Sequence, residues 1–481
     1  MTTPAAPGTQ IVARATPPSR SAGSATSAWH IAALAQRGPT KEARLLRNLG
    51  DYDKIFGGRV AYGQRDGIEA HFRNGGGLIN MIRIVGPAAT LATVNLPGAA
   101  AAPSLAVDAV GEGVSTLSVD VDVVGALFIL TVFEGTVKLD FSPPLDTLAA
   151  AVSWSQKNSY IRVRAIGAVV PLATAVAVVL AGGVDDVAAV TDVHRLAAIN
   201  RIPKGDGAGQ VSIPGATTTA VHLGLAQHAA AANRFALLDL PNSSTEADLI
   251  AAADAFRAGA TDLEESYAFF CEGWHNIPGL TIGTTRVVPP SAIDSALMSV
   301  RDAATGNPNE PAAGIHGVPA YSLGPVRPEW SDDARARLNN AGVNVFRYIG
   351  GSHRLYGYRT AVDPNGTGAT WLSASNARLR MALIADADRI AEPFVFGQIT
   401  KTKIAEYNGA MTGMLLGYYT KGALFGDVPE QAFIVDTGAQ VNTSARIAAR
   451  QLSVVMGVRM SEFTEIAYME FVKVAVTEVL A

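Results

Sequence analysis

This 481-residue chain has a single cysteine, Cys271. One thiol closes no intramolecular disulfide, and the setting Tyr267-Ala-Phe-Phe-Cys271 predicts an apolar strand with a buried, inert sulfur. Charge is also scarce. Asp, Glu, Lys and Arg make up 17% of the residues and balance to a net −4, which leaves no global basic field to hold phosphate backbones, so direct nucleic-acid binding is not expected. The N-terminus has no basic stretch leading into an apolar core, so no secretory signal is expected, and folding in a reducing cytoplasm fits both facts. Long apolar runs are absent but for one. Ala165 to Gly183 is uncharged and long enough to be a candidate span, yet it is rich in Ala and Val, broken by Gly167 and Pro171, and has no aromatic belt. It predicts two short buried strands, Ile166 to Val170 and Ala175 to Leu180, and no membrane insertion.

What the chain does have is apolar mass: 48% of its residues are hydrophobic. With so little charge to solvate a surface, that balance points to large buried interfaces and an obligate assembly. At about 100–200 residues per domain, the length predicts about three domains.

Composition divides the chain. Residues 1–28 are rich in Pro, Thr, Ser and Ala, with Ile11-Val12 as the only apolar pair, and predict an extended arm ordered by capture. In 29–87, a strand at Trp29 to Leu34 precedes a short helix over Asn48 to Gly57, a helix at Gly67 to Phe72, a glycine break at Asn74 to Gly77 and a strand at Leu78 to Val85. Residues 88–180 alternate Val, Leu and Thr between turn signals and predict a small antiparallel β domain. From 181 to 340, helices at Ala188 to Ala198, Thr217 to Ala231 and Ser244 to Phe256 alternate with strands at Arg234 to Leu240 and Tyr267 to Glu272, the pattern of an α/β domain. Residues 341–471 predict a strand at Val343 to Tyr348, long helices over Ser375 to Ile390 and Lys403 to Tyr419, a strand at Ala432 to Asp436 and a short helix within Asn442 to Leu452. A terminal strand runs from Glu462 to Val476, and 472–481 is set apart as a C-terminal arm.

That terminal strand is apolar on both faces. Ile466, Tyr468, Glu470, Val472 and Val474 share one side. This is the pattern of a strand completing a sheet, and for the last ten residues the expected sheet belongs to another copy.

Enzyme chemistry finds little support. His222, His228, Asp239 and Ser291 assemble into a hydrolase triad on paper, but no Gly-x-Ser-x-Gly elbow is present and their spacing favours no site, so a scaffold without chemistry is preferred. The five-residue gap between the two histidines lacks the stacking of helical metal ligands. Gly205-Asp-Gly-Ala-Gly209 lacks the Lys-Ser/Thr of a phosphate loop and predicts a flexible surface loop. No catalytic residue, metal site or cofactor is expected.

Seven segments in order carry a resemblance: Arg37-Gly-Pro39 with Asp51 to Gly57; Ala70-His-Phe-Arg-Asn-Gly-Gly-Gly77 with Ile82-Arg-Ile-Val85; Leu180-Ala-Gly-Gly-Val-Asp185; Val287-Val-Pro-Pro-Ser291; Leu338 to Asn344; Tyr356 to Thr360; and Gly422-Ala-Leu-Phe-Gly426 within Tyr419 to Asp427. Over nearly its whole length the chain resembles contractile tail sheath proteins of myophages and related injection machines, with the Tyr419 to Asp427 segment as the hinge. The resemblance implies an α+β and α/β multidomain fold. In it, both chain ends form a common mesh-forming α+β domain, 181–340 a subtilisin-like α/β insert and 88–180 a β insert.

It further implies a homo-oligomer of stacked hexameric rings in a helical tube, knit by strand exchange through Ile11, Val12 and the terminal strand. Lys401 and Lys403 would contact the tail tube protein, and baseplate and tail terminator proteins would be further partners. The expected place is a virion tail assembled in the host cytoplasm, acting in genome delivery through the host envelope. A bacterial injection-system sheath, and an α/β hydrolase with an accessory β domain, are the alternatives.

Overall fold

A computed structural model describes residues 26–242 and 245–468. Its organising element is a seven-stranded sheet that begins with the first described segment. β1 (Trp29–Ala33) leads to β2 (Arg44–Leu46), α1 (Leu49–Phe56), α2 (Arg65–Arg73) and β3 (Ile79–Arg83). Helix α1 starts where Asn48 accepts from the Asp51 amide and stops at Gly57, whose φ of 87° suits glycine.

The chain then builds the β domain: β4 (Thr93–Pro97), β5 (Pro103–Ala109), β6 (Leu117–Val124), β7 (Leu127–Glu134), β8 (Val137–Phe141), α3 (Leu148–Ser155), β9 (Ile161–Ala165) and β10 (Val178–Val179). Two antiparallel sheets, β4-β5-β9 and β10-β6-β7-β8, close on a core of Leu105, Val107, Val119, Val121, Leu130 and Ile161. Helix α3, capped by Thr147, was not foreseen in a domain read as all strand. The two buried strands expected within Ala165 to Gly183 are also corrected. Only Val178–Val179 is strand, and the run laces the two sheets together by backbone bonds such as Leu172 N to Pro97 O (3.0 Å) and Thr174 N to Val121 O (3.0 Å). With its main chain spent on lacing, most of its side chains face out, Leu172 being 50% and Val176 75% exposed, while Leu180 at its end joins the core. Among the described residues no helix is long and apolar enough to cross a membrane.

The return strand and its helices follow: α4 (Asp192–Ile199), β11 (Gln210–Ser212), α5 (Thr219–Ala232), β12 (Phe235–Asp239), α6 (Glu246–Arg257), α7 (Asp262–Glu265), β13 (Ala268–Cys271), β14 (His275–Pro278), β15 (Thr285–Val288), α8 (Pro290–Thr305), β16 (Gly324–Pro325), α9 (Asp332–Asn340) and β17 (Val343–Asn344). The sheet order is β17-β13-β12-β11-β1-β3-β2, all parallel except β2. Strands buried on both faces carry continuous apolar runs. Ala236 and Leu238 of β12 pack with α4, α5, α6 and α9, whereas Phe235 and Leu237 pack with α8 and the helix that follows the last sheet strand. Each such side chain contributes about 1.5–3 kcal/mol by leaving water.

This sheet corrects the expected partition. Residues 29–87 were assigned with 341–471 rather than with 181–340, yet β1 hydrogen-bonds β11 directly and β3 on its other side. All three stretches share one doubly wound sheet, with β17 of the last stretch at its far edge, because a buried β1 must pair its main-chain N–H and C=O groups on both edges.

The last section holds the hairpin β18 (Phe346–Ile349) and β19 (Ser352–Leu355), then α10 (Ala374–Ala391), α11 (Lys401–Thr420), α12 (Pro429–Ala432), β20 (Phe433–Asp436), α13 (Ser444–Ala448) and β21 (Val455–Val458). The first half of α10 is buried against the main sheet; Leu379 and Leu383 also meet α11 and β20 in a separate small core with Leu415, Ala423 and Leu424. The β domain is fastened to the main sheet where Arg83 pairs with Asp185 and Arg37 with Glu134. At that junction Gly86 and Gly111 allow backbone approaches that a Cβ would block, 1.9 Å from Asp186 O and 1.9 Å from Gly38 O respectively.

Candidate assembly surface

The C-terminal unit presents an incomplete sheet. β20 and β21 pair antiparallel from Phe433 with Val458 to Asp436 with Val455, and among the described residues neither outer edge has a partner strand. Ile434 and Val455 are 61% and 52% exposed. Two strands alone are marginal in water, and open edges are templates for a further strand. β20 was legible in the sequence. β21 was not, because Gly457 interrupts a run of only four residues.

The Tyr419 to Asp427 segment is a pinned crossing. After α11 ends, Gly422 takes φ 76° and the chain turns back beside Arg459 to Ser461, with Phe425 N to Arg459 O at 2.8 Å and Ser461 N to Ala423 O at 3.0 Å. Asn309, just past α8, donates to Ala423 O (3.3 Å) and Ser461 O (2.8 Å), and Lys421 Nζ donates to Gly306 O at 3.0 Å.

The two chain ends enter the molecule next to each other. On the N-terminal side, Gln210 donates to Thr26 O (2.9 Å), Ser299 to Ser27 O (2.8 Å), and the Thr26 hydroxyl to Asp302 Oδ2 (2.6 Å). Asp302, on α8, also receives Arg378 Nη2 of α10 at 2.6 Å, and both side chains are fully buried. Arg378 Nη1 donates to the Tyr358 hydroxyl at 2.9 Å. Burial works against the guanidinium, but Asp302 and Tyr358 outweigh it and hold Arg378 charged. On the C-terminal side, the Phe463 ring meets the edge of Tyr358 at 6.3 Å, Asn376 donates to Glu462 (2.6 Å), and Arg359 grips Glu465 with bonds of 2.9 and 2.5 Å. A short chain of contacts, Thr26, Asp302, Arg378, Tyr358 and Phe463, therefore joins both roots.

The predicted residues fall unevenly on this surface. The strand expected to begin at Glu462 does not form as far as Tyr468, because residues 462–465 are held by side chains instead of a ladder. Ile466 and Tyr468 are 63% and 89% exposed beyond that anchor. Ile11, Val12, Glu470, Val472 and Val474 lie outside the described residues. Lys401 and Lys403 are exposed in the first turn of α11, which Thr400 caps, and Lys403 pairs with Glu406 at 2.5 Å.

The residues that spelled a triad do meet in part, in the wrong order for hydrolysis. The Ser291 hydroxyl donates to Asp239 Oδ2 (2.8 Å), and the Ser291 and Gly215 amides donate to the same carboxylate at 2.7 and 2.8 Å. Burial pushes Asp239 up to about 6. His222 Nε2 donates to the Asp239 backbone carbonyl at 3.0 Å, so no imidazole stands against the serine, which is itself fully buried. His228 is occupied elsewhere, donating to Asn200 (3.0 Å) and accepting from Arg234 (2.9 Å). Asp239 thus ties β12 to the start of α8. Ser291→Ala should cost ~1–3 kcal/mol in a urea titration, through the lost donor to a buried carboxylate.

The loop at Gly205 to Gly209, expected to be flexible, is held: Arg234 donates to Gly207 O (3.0 Å) and Pro203 O (2.6 Å), and a Cβ at Gly209 would lie 2.2 Å from Ala28 O. Cys271 is buried as expected, and burial drives its thiol well above the ordinary range. Among the described residues no cluster of three His, Cys, Asp or Glu could hold a metal ion.

With this geometry in view, the fold can be placed: it is that of the tail sheath proteins of contractile injection systems. A chain of the anti-feeding prophage baseplate in its contracted state matches 98% of this chain and 98% of its own length, with TM-score 0.61 and 14% identity. The sheath complex of an extracellular contractile injection system, PVC, in the contracted state matches with TM-score 0.58 and 15% identity, covering 98% of both chains. The sheath tail protein Lin1278 from Listeria innocua covers 86% of this chain and 89% of that one, at TM-score 0.60 and 12% identity. No protein-family model matches the sequence, and no curated protein matches it.

Proposed function

We propose that this chain is the subunit of a contractile sheath, a homo-oligomer of stacked hexameric rings that polymerises around a tail tube and shortens to drive that tube through a target cell envelope. The observation that carries the reading is the two-stranded β20-β21 sheet, which among the described residues has no partner strand on either edge and only the Asn408 amide on the Val435 carbonyl, beside the converging roots of two chain ends. Each edge is suited to accept one extended arm from a neighbour, Ile11-Val12 from one and Val472 to Ala481 from another, by main-chain pairing. Repeated without closing, such a contact generates a helical tube. Strand links that persist while subunits rotate between two packings let the tube shorten without dissolving, and the extended state is then a kinetic trap.

In this reading the doubly wound sheet corresponds to the subtilisin-like domain of that family and the β domain lies outward. Lys401 and Lys403 face the tube protein through contacts that salt screens and firing can release. Baseplate and terminator proteins cap the tube. The matches to anti-feeding prophage, PVC and Listeria sheath structures support a phage tail and a bacterial injection machine alike.

Electron microscopy of the purified protein tests the proposal: the full chain should form tubes. Deletion of 472–481 should abolish them and leave the circular dichroism of a folded monomer. Normal tubes from the truncated chain would defeat the exchange.

A further inference from the structure

The turn between α10 and α11 ends in an aromatic knob. Phe396 is fully exposed and holds a left-handed backbone at φ 64°, a conformation that bulky residues rarely adopt outside functional sites. Its neighbours separate into packed and unpacked: Phe394 packs on Tyr407 with the rings tilted and 4.8 Å apart, whereas Val395 is 61% exposed beside the knob. An aromatic lifted clear of its own core is the form taken by interface anchors.

A cleft of about 540 Å³ opens at the opposite end of α10, between α9, the β18-β19 hairpin and the root of the C-terminal segment. Val345 and Tyr358 form its buried floor, Phe463 and Ile466 line one side, and Asn339 and Asn340 stand on the α9 side. The charged Asp332, Arg335, Arg347, Arg359 and Glu465 also line it, and the guanidinium planes are surfaces on which an aromatic ring can lie. A space of ~150 Å³ is enough for a benzene ring, so this cleft admits Phe396 together with Val395. It abuts the first residue of α10, where Ala374 N donates to Tyr358 O at 3.2 Å, and Phe396 follows the last. A helix of 18 residues holds the two ends about 27 Å apart, beyond the reach of a side chain. The knob therefore cannot fill the cleft of its own molecule.

We propose that Phe396 and Val395 of one copy seat in this cleft of the next copy. Knob and cleft are different patches at opposite ends of one rigid helix, so the contact is head to tail and leaves each new end ready for another copy. The proposal rests on the assembly reading above and adds to it a side-chain contact independent of strand exchange.

The single native cysteine makes the test clean, because buried Cys271 does not compete for a cross-linker. Full-length Phe396→Cys and Asn340→Cys proteins, carrying tags of different length, would be mixed and treated with a short thiol-to-thiol cross-linker. The expected product is the mixed dimer, at least tenfold above the dimers each variant gives alone. Phe396→Asp should raise the concentration needed for tube formation at least tenfold while the monomer stays folded. No excess of mixed dimer, or an unchanged tube-forming concentration for Phe396→Asp, overturns the contact. Failure of the unaltered chain to form tubes while the mixed dimer still appears would instead strike at the sheath reading.

Discussion

Asp302→Ala is expected to destabilise the unpolymerised protein by ~3–5 kcal/mol, because it strands the fully buried Arg378 guanidinium without its counter-charge. The loss spreads along the contacts it breaks: Thr26 loses its acceptor on Asp302, and the Arg378–Tyr358 bond that supports Phe463 is left on an uncompensated charge. The double variant Asp302→Leu, Arg378→Met should recover most of the deficit, since an apolar pair of similar volume often replaces a buried ion pair at no cost. Urea titrations of the single and double variants check both statements. A single-variant loss below about 1 kcal/mol would mean that water or a backbone shift rescues the arginine, and the coupling of the two roots would fall with it.

The second large effect is acid lability. Burial, first among the causes, holds His30 and His275 at about 3 and His71, His222 and His228 at about 4, with Arg234 adding to the depression of His30 and His228. A histidine depressed in the fold contributes stability that is whole above its unfolded value, about 6.5, and lost as pH falls towards the folded value. Each unit of displacement corresponds to about 1.4 kcal/mol. Buried carboxyls oppose this. Asp239 at about 6 and Glu272 at about 7 take up protons in the fold and favour it as pH drops through the same window, and burial raises Glu265, Asp294 and Asp302 likewise. Five rings, with the carboxylates of Glu69, Asp108, Glu112 and Glu134 held below their ordinary range, outweigh the five raised carboxyls. The urea midpoint should therefore fall steadily between pH 6.5 and 4, and His275→Asn should flatten that slope by removing one ring that gains a proton on unfolding. A midpoint that held constant or rose on acidification would refute the balance.

Much of this fold could be read from residue order, and the exceptions share a cause. Helices with caps were found to within a few residues: Asn48 before α1, Thr218 before α5, Thr245 before α6, Thr400 before α11; α8, which starts at Pro290 and stops at Gly306, was missed. Strands with β-branched or aromatic runs, such as β1, β12 and β13, were equally plain. Pairing was not. Whether β1 joins β11 or some strand of the C-terminal section depends on contacts across 181 residues of chain, from Trp29 to Gln210, and local pattern is silent there. The uncharged Ala165 to Gly183 run looked buried because composition reports apolarity, while its lacing role depends on neighbours.

The assembly surface was half visible. The strand β20 was plain, and the terminal apolar run was expected to pair between copies but lies mostly outside the described residues; β21 was too short to register. The convergence of the two roots on Asp302 and Tyr358 involves residues that look ordinary in isolation. Ser291 and Asp239 were noticed for the wrong reason: they do meet, as a tether between strand and helix rather than as a nucleophile and its partner.

The central place of β1 governs the order of events on the ribosome. It can zip onto β3 almost at once, but its other edge stays bare until the entire β domain has been translated and β11 emerges. The anchors at Glu462 and Glu465 are made later still. The sheet is thus closed by residues made long after its first strand, and the grip of Arg359 on Glu465 can form only after those.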